Sequence, residues 1–240
     1  MDIPVGAGRQ GMIWSQITSE NSFVACKFKK THEKENLEIR KLNKNDRLTS
    51  LRRTVQHAND AVKLPDNPHI LNFKGMIFSE ELNQYGMIYE KIDGCSLEEF
   101  LKSNNNYKCE KKIAKVFKEI TLGLQVLSEA GMPHTDLLQP GYNIMVRYSD
   151  DTAVVVDIDG AFVEDEYRES ADAESKKQLA IITCSFLAKQ RFNGSHNEDA
   201  NKFLLCSDYS EDFKLVMTKC LSSENLSWTE VMNAIEVMPC

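Results

Sequence analysis

Apolar positions follow two different rhythms along this chain. Over the first ninety residues they come in short β-branched or aromatic runs: "GMIWSQI" (11–17), "SFVACKF" (22–28), "ILNFKGMIF" (70–78) and "YGMIYEKI" (85–92). Polar or glycine-containing turns separate these runs, the pattern of strands in an antiparallel sheet. One helical pattern interrupts them, with Leu48, Leu51, Val55, Ala58 and Val62 at three- and four-residue spacing before Pro65.

From about residue 97 the period turns helical. "SLEEFLK" predicts a short helix in which Ser96 is the N-cap and Glu99 its reciprocal partner. Ile113, Val116, Phe117, Ile120, Leu124 and Leu127 make one continuous stripe, a helix of about five turns with one buried face. Gly131 and Pro133 end it. Next, "YNIMV" and "TAVVVDID" predict two strands of a hairpin around the polar turn "RYSDD". Leu179, Ile182, Phe186 and Leu187 form a further helical stripe, Phe213, Val216, Met217, Cys220 and Leu221 another, and "SWTEVMNAI" a short last helix. Between the first two of these, "NGSHNEDAN" reads as a polar loop. The expected class is α+β: a strand-rich part over 1–92 and a helical part over 93–240, joined near residues 90–96.

Composition narrows this picture. At 240 residues with 42% hydrophobic content, the chain can bury one substantial core or two small lobes, and it is too short for two ordinary domains. A net charge of -7 argues against nucleic-acid binding by bulk electrostatics. The basic stretches "CKFKKTHEK" and "IRKLNKNDRLTSLRR" then read as solvated surface. Seven cysteines with no C-x-x-C pair fit a reducing, cytoplasmic setting. The start "MDIPVGAG" has no signal-peptide pattern, and no run reaches the roughly 18 apolar residues of a membrane span.

Chemistry enters at four places. "GAGRQG" sets Gly6, Gly8 and Gly11 in G-x-G-x-x-G spacing, which lets backbone N–H groups approach phosphate oxygens. A strand follows it where a dinucleotide fold would have a helix, which disfavours that reading. Lys27 stands inside the apolar run "FVACKF". A lone lysine there more often faces solvent, whereas a buried one needs an anion. "PHTDLLQPGYNIMV" carries His134, Asp136 and Asn143, and "VVVDIDG" carries Asp157 and Asp159 beyond a very apolar strand. Two separated carboxylates and an amide oxygen could hold magnesium on a polyphosphate, although each alone is ordinary turn chemistry.

In that order, the glycine-rich loop, strand lysine, H-x-D loop with downstream Asn, and apolar strand ending in Asp resemble the protein kinase superfamily. The resemblance runs from Gly6 to about Asp159 and implies a bilobal kinase-like fold with ATP and Mg2+. It implies that Gly6, Gly8 and Gly11 cover the phosphates, that Lys27 reaches the α and β phosphates, and that Asp136 is the base for the accepting hydroxyl. Asn143 and Asp157 would hold the metal. Ile13, Ala25 and Met145 would line the adenine pocket. The backbones of Glu90 and Ile92 would meet the adenine edge beside Tyr89 as gatekeeper.

Several positions depart from the family pattern. Asn143 follows Asp136 by seven residues where five is usual, and Thr135 and Leu138 replace the usual Arg and Lys. "H-x-D-L…P-G…N" is closer to the loop of aminoglycoside kinases. The glutamate expected to pair with Lys27 is not evident, leaving Gln56 or Glu38. Asp159 replaces a glycine, so Asp159 rivals Asp157 as the metal ligand. About a dozen residues separate Asp159 from a helix expected near Ala173, with no A-P-E motif, so the activation segment is minimal.

Three functions fit the pattern. The first is an atypical protein kinase acting on a Ser or Thr hydroxyl, with a protein substrate or partner. The second is a pseudokinase scaffold. The third is a small-molecule kinase of aminoglycoside type, whose acidic insert would be "EDEYRESADAE".

Overall fold

Strand-forming runs of the first ninety residues assemble into a five-stranded antiparallel sheet in the order β1-β2-β3-β5-β4. Its strands are β1 (Ile3–Ala7), β2 (Gly11–Ile17), β3 (Phe23–Lys29), β4 (Phe73–Ser79) and β5 (Gln84–Glu90). The computed structural model describes residues 3–7, 11–17, 23–29, 44–80, 84–103, 110–137, 143–158, 165–189, 192 and 197–238. The chain divides into two compact units, one of Met1–Asp66 with Leu71–Ile92, the other of Asn67–Ile70 with Asp93–Cys240.

In the first unit, α1 (Lys44–Ala61) packs against β5 and β4. Its buried face differs from the expected stripe. Thr54, Ala58 and Ala61 are buried, whereas Leu48, Val55 and Val62 are exposed, Val62 at 71%. Both readings keep three- and four-residue spacing, and Leu51 and Ala58 belong to either one. The structure selects the face with the smaller side chains. β4 shifts register between Phe73 and Gly75, and Gly75 has φ +150, a conformation that favours glycine.

The second unit contains a small sheet, β6 (Gly94–Ser96), β7 (Ile144–Arg147) and β8 (Ala153–Val155), and six helices among the described residues. These are α2 (Leu97–Ser103), α3 (Glu110–Glu129), α4 (Arg168–Leu187), α5 (Asn197–Cys206), α6 (Glu211–Leu221) and α7 (Trp228–Glu236). α2 starts with the expected reciprocal cap. Ser96 N–H donates to Glu99 Oε2 at 3.0 Å, and Glu99 N–H donates to Ser96 Oγ at 3.3 Å.

All six residues of the α3 stripe are buried, each such burial being worth about 1.5–3 kcal/mol of transfer free energy. α3 ends in a Schellman motif: Met132 N–H donates to Leu127 C=O at 2.8 Å and Gly131 N–H to Ser128 C=O at 2.9 Å. Gly131 takes φ +77 to close it.

Two helix boundaries differ from expectation. α5 begins at Asn197, inside the stretch read as loop, because Ala200 and Leu204 bury one side of it. α4 begins at Arg168, after a short 3-10 turn at Asp165–Tyr167. Of the acidic stretch, Asp165–Tyr167 form this turn and residues 168–174 open α4. Among the described residues, no helix is long and apolar enough to cross a membrane.

The four residues Asn67–Ile70 belong to the second unit through backbone contacts. Val155 N–H donates to His69 C=O at 2.9 Å, and Ile70 bridges to Val155. A Cβ on Gly123 of α3 would lie 2.5 Å from the His69 carbonyl oxygen, so this helix can lie against the segment only with glycine there.

Candidate functional site

β8 is a short, fully buried strand and β7 alternates buried and half-buried residues, and the polar residues expected to do chemistry flank them. Asp136 lies in the segment between α3 and β7, Asn143 directly before β7, and Asp157 two residues after β8. Antiparallel pairing of β7 with β8 brings the beginning of one strand beside the end of the other, with Ile144 opposite Val155. Residues at these two ends are neighbours for that reason.

Polar contacts tie the segments together. Val156 N–H donates to Asn143 C=O at 3.0 Å. His134 is 2% exposed, and its Nε2 donates to Val156 C=O at 3.0 Å. Since a carbonyl can only accept, Nε2 carries the hydrogen, which leaves Nδ1 to accept from Asp136 N–H at 3.3 Å. Asn143 is 6% exposed, and its side-chain Nδ2 donates to the Asp136 carbonyl oxygen. The seven-residue separation of Asp136 and Asn143 is thus closed by a direct hydrogen bond.

Asp136 is exposed, and Asp157 is of intermediate burial. Asp157 has φ +62, in the left-handed region that only a few per cent of non-glycine residues adopt. This backbone turn occurs immediately beyond the Val156 contacts. The Asn143 side-chain oxygen Oδ1 and the Asp157 carboxylate are hard oxygen donors of the kind magnesium takes. Among the described residues, no three of His, Cys, Asp and Glu gather into a metal site of their own. Magnesium on this set would draw its remaining ligands from phosphate and water.

Expected nucleotide residues of the first unit fall on its sheet. Gly6 pairs with Ile13, Ile13 with Lys27, and Lys27 with Met87, so the four stand in one row across β1, β2, β3 and β5. Ala25 pairs with Ser15 and with Tyr89, and Gly11 opens β2 opposite Lys29. Gly8 lies outside the described residues, as do Leu138, Glu38 and Asp159.

Tyr89 is 2% exposed, and its hydroxyl donates to Met87 Sδ at 3.4 Å. The Glu90 N–H donates to Asn72 C=O at 3.0 Å. Ile92 is the last residue of the first unit. Met145, of the second unit, is on β7 opposite Ser96 and Val154. Gln56 is exposed on α1.

One residue at this site has no counterpart in the sequence reading. Gln178 of α4 is 4% exposed. It accepts from Leu137 N–H at 2.5 Å and donates to Thr135 C=O at 2.7 Å, on either side of Asp136. The available signal was a polar residue directly before the apolar run "LAII". Nothing in the spacing connects it to the loop.

The family model described as protein tyrosine and serine/threonine kinase matches this chain over residues 1–196. No curated protein matches it.

Proposed function

Since the chain belongs to the protein tyrosine and serine/threonine kinase family and folds as an α+β protein, we propose that it transfers the ATP γ-phosphate to a serine or threonine hydroxyl of a protein substrate. The observation that carries this reading is the hydrogen bond from Asn143 Nδ2 to the Asp136 carbonyl. It ties the Asn143 side chain to the Asp136 backbone and turns the carboxamide so that its nitrogen is used and its oxygen remains for a cation.

In this reading Asp136 accepts the proton of the attacking hydroxyl, and its exposure leaves it open to an incoming acceptor. Asn143 and Asp157 hold magnesium, which when bound neutralises charge on the phosphates. Lys27 contacts the α and β phosphates, and Gly6, Gly8 and Gly11 cover them. Ile13, Ala25 and Met145 contact the adenine, whose edge meets the Glu90 and Ile92 backbones. The residues 1–92 then act as the nucleotide lobe and 93–240 as the catalytic lobe.

The test is transfer of labelled γ-phosphate from MgATP to a mixed protein acceptor by the purified chain. Loss of transfer in Asp136→Ala and Asp157→Ala is expected. A purified chain that turns over no MgATP sinks the proposal.

A second reading, a pseudokinase scaffold, has one observation in its favour. Gln56, a candidate partner for Lys27, is exposed on α1 while Thr54, Ala58 and Ala61 form the buried face. Lys27 without an anionic partner is less firmly placed. Since ligand bound to the folded state alone stabilises it, the absence of a MgATP-induced rise in melting temperature would select this scaffold, and a rise without turnover would select a nucleotide-binding pseudoenzyme.

A further inference from the structure

The outer side of α1 carries apolar residues that the fold does not use. Leu48, Val55 and Val62 are all exposed. Val62 stands one residue past the end of α1, yet its N–H still donates to Ala58 C=O at 3.0 Å, so it continues the helix. Steps of seven residues are close to two helical turns, and the three side chains therefore stand in one line about 21 Å long. Half-buried Leu51 lies between this line and the packed row of Thr54, Ala58 and Ala61. Single exposed apolar residues are ordinary on a protein surface, whereas an aligned set on one helix marks a contact face.

Charge on this face has one sign. The exposed polar neighbours of the line are Arg52, Gln56, Asn59 and Lys63. Among the described side chains of α1 the one carboxylate, Asp60, is buried and accepts from Lys63 Nζ at 3.0 Å. The sequence leading into the helix is basic as well. Residues 26–53 hold ten Lys or Arg against four Asp or Glu, in a chain with 29 against 36 overall. Such a local surplus on an acidic protein draws this face, and not the remainder, toward a negative surface.

The shape of the face selects the kind of surface. A projecting line of side chains is a ridge, which a protein partner must receive in a matching groove while pairing the charges one by one. Of the two exposed cations beside it, Lys63 is already paired with Asp60. A lipid surface needs no such matching. Its acyl boundary yields to projecting apolar side chains, and its spread negative charge responds to the summed field of a basic segment.

We propose that α1 docks this protein on an anionic lipid surface, with Leu48, Val55 and Val62 entering the headgroup layer. The contact is peripheral, since the opposite side of the helix stays packed on β5 and β4. It is independent of the phosphotransfer reading.

The test is co-sedimentation of the full chain with vesicles of phosphatidylcholine alone and of phosphatidylcholine mixed with phosphatidylserine, at low and high salt. Expected is binding to the mixed vesicles that salt weakens, with little binding to the neutral ones. Each basic charge near such a surface contributes about fivefold in affinity, so Arg52→Ala should bind about fivefold and Arg52→Glu about thirtyfold more weakly. Val62→Glu should lose at least about tenfold while keeping the thermal transition of the unsubstituted chain. Where a charged variant fails to fold, Val62→Trp on the same open surface carries the test, with tighter binding and an emission shifted to the blue on the mixed vesicles.

No binding to the mixed vesicles, equal binding to both kinds, or undiminished binding by folded Arg52→Glu and Val62→Glu would each overturn the proposal. Capture of a synthetic amphipathic Glu/Leu peptide by a chain that ignores vesicles would overturn it too, and would give the face to a protein partner.

Discussion

With Asp136 proposed as the base and Asn143 as a magnesium ligand, their substitutions should differ in kind. Asp136 is exposed and makes its described hydrogen bonds through its backbone. Asp136→Ala should then leave the fold and the MgATP thermal shift intact while turnover falls about 10²–10⁴-fold, the usual contribution of a general base. Asn143 is buried and bonded. Asn143→Ala should lower turnover and also stability, by about 1–3 kcal/mol, because the Asp136 carbonyl loses its donor. Parallel urea titrations and kinetics on both variants check this, and equal stability losses would show the division to be wrong. At this scale the sequence pointed to His134, Asp136 and Asn143 within one loop, and the structure joins the three by hydrogen bonds. The sequence was silent on Gln178, since a glutamine before an apolar run looks the same whether it faces water or clasps a distant backbone.

Elements were legible wherever one face was strongly apolar. The α3 stripe is completely buried, and the Ser96–Glu99 cap forms with both of its hydrogen bonds. α1 was misjudged because two stripes shared Leu51 and Ala58, and hydrophobicity favoured the one with larger residues. Close packing on β5 and β4 favours the other, where alanine and threonine let the helix approach. Val62→Glu on the exposed side should change stability by less than about 0.5 kcal/mol. Ala58→Leu, on the packed side, should cost about 1–3 kcal/mol through overpacking. Chemical denaturation distinguishes them, and equal effects would return the helix to its expected face.

Packing of α4 with α6 carries a pH signature of its own. Burial pushes the thiols of Cys184 and Cys220 up to about 12 from an ordinary value of 9.0. Both stay protonated in the fold at pH values where the unfolded chain ionises. The folded state then binds more protons, so stability is retained below about pH 9 and is lost as pH rises toward 12. Unfolding free energies measured from pH 8 upward should fall, and Cys220→Ala should make that fall shallower. An unchanged slope in the variant would remove Cys220 as a source.

For the whole molecule, the kinase family match and the folding unit have different ends. The match stops at residue 196, and a chain cut there would keep every residue assigned a chemical role. Yet α3 packs on α7, and α4 packs on α5 and α6. Phe213, Met217, Val231 and Ile235 from beyond the match are all 0% exposed. The cut would also strand charge. Lys176 of α4, 4% exposed, donates to Asp172 and to the Leu226 carbonyl at 2.5 Å, and lies 5.1 Å from the centre of the Trp228 ring. Asp172 in turn accepts from Trp228 Nε1 at 2.9 Å and from Ser128 of α3. Removing 197–240 opens this network to water on one side and exposes the apolar faces of α3 and α4, at about 1.5–3 kcal/mol for each large side chain uncovered. Several such losses are comparable to the about 5–15 kcal/mol that a domain has in reserve. The shortened chain should therefore show no cooperative thermal transition by circular dichroism and no MgATP-dependent shift. A sharp transition near that of the full chain would mean that the last three helices are an appendage, and that the core described for the second unit is drawn too large.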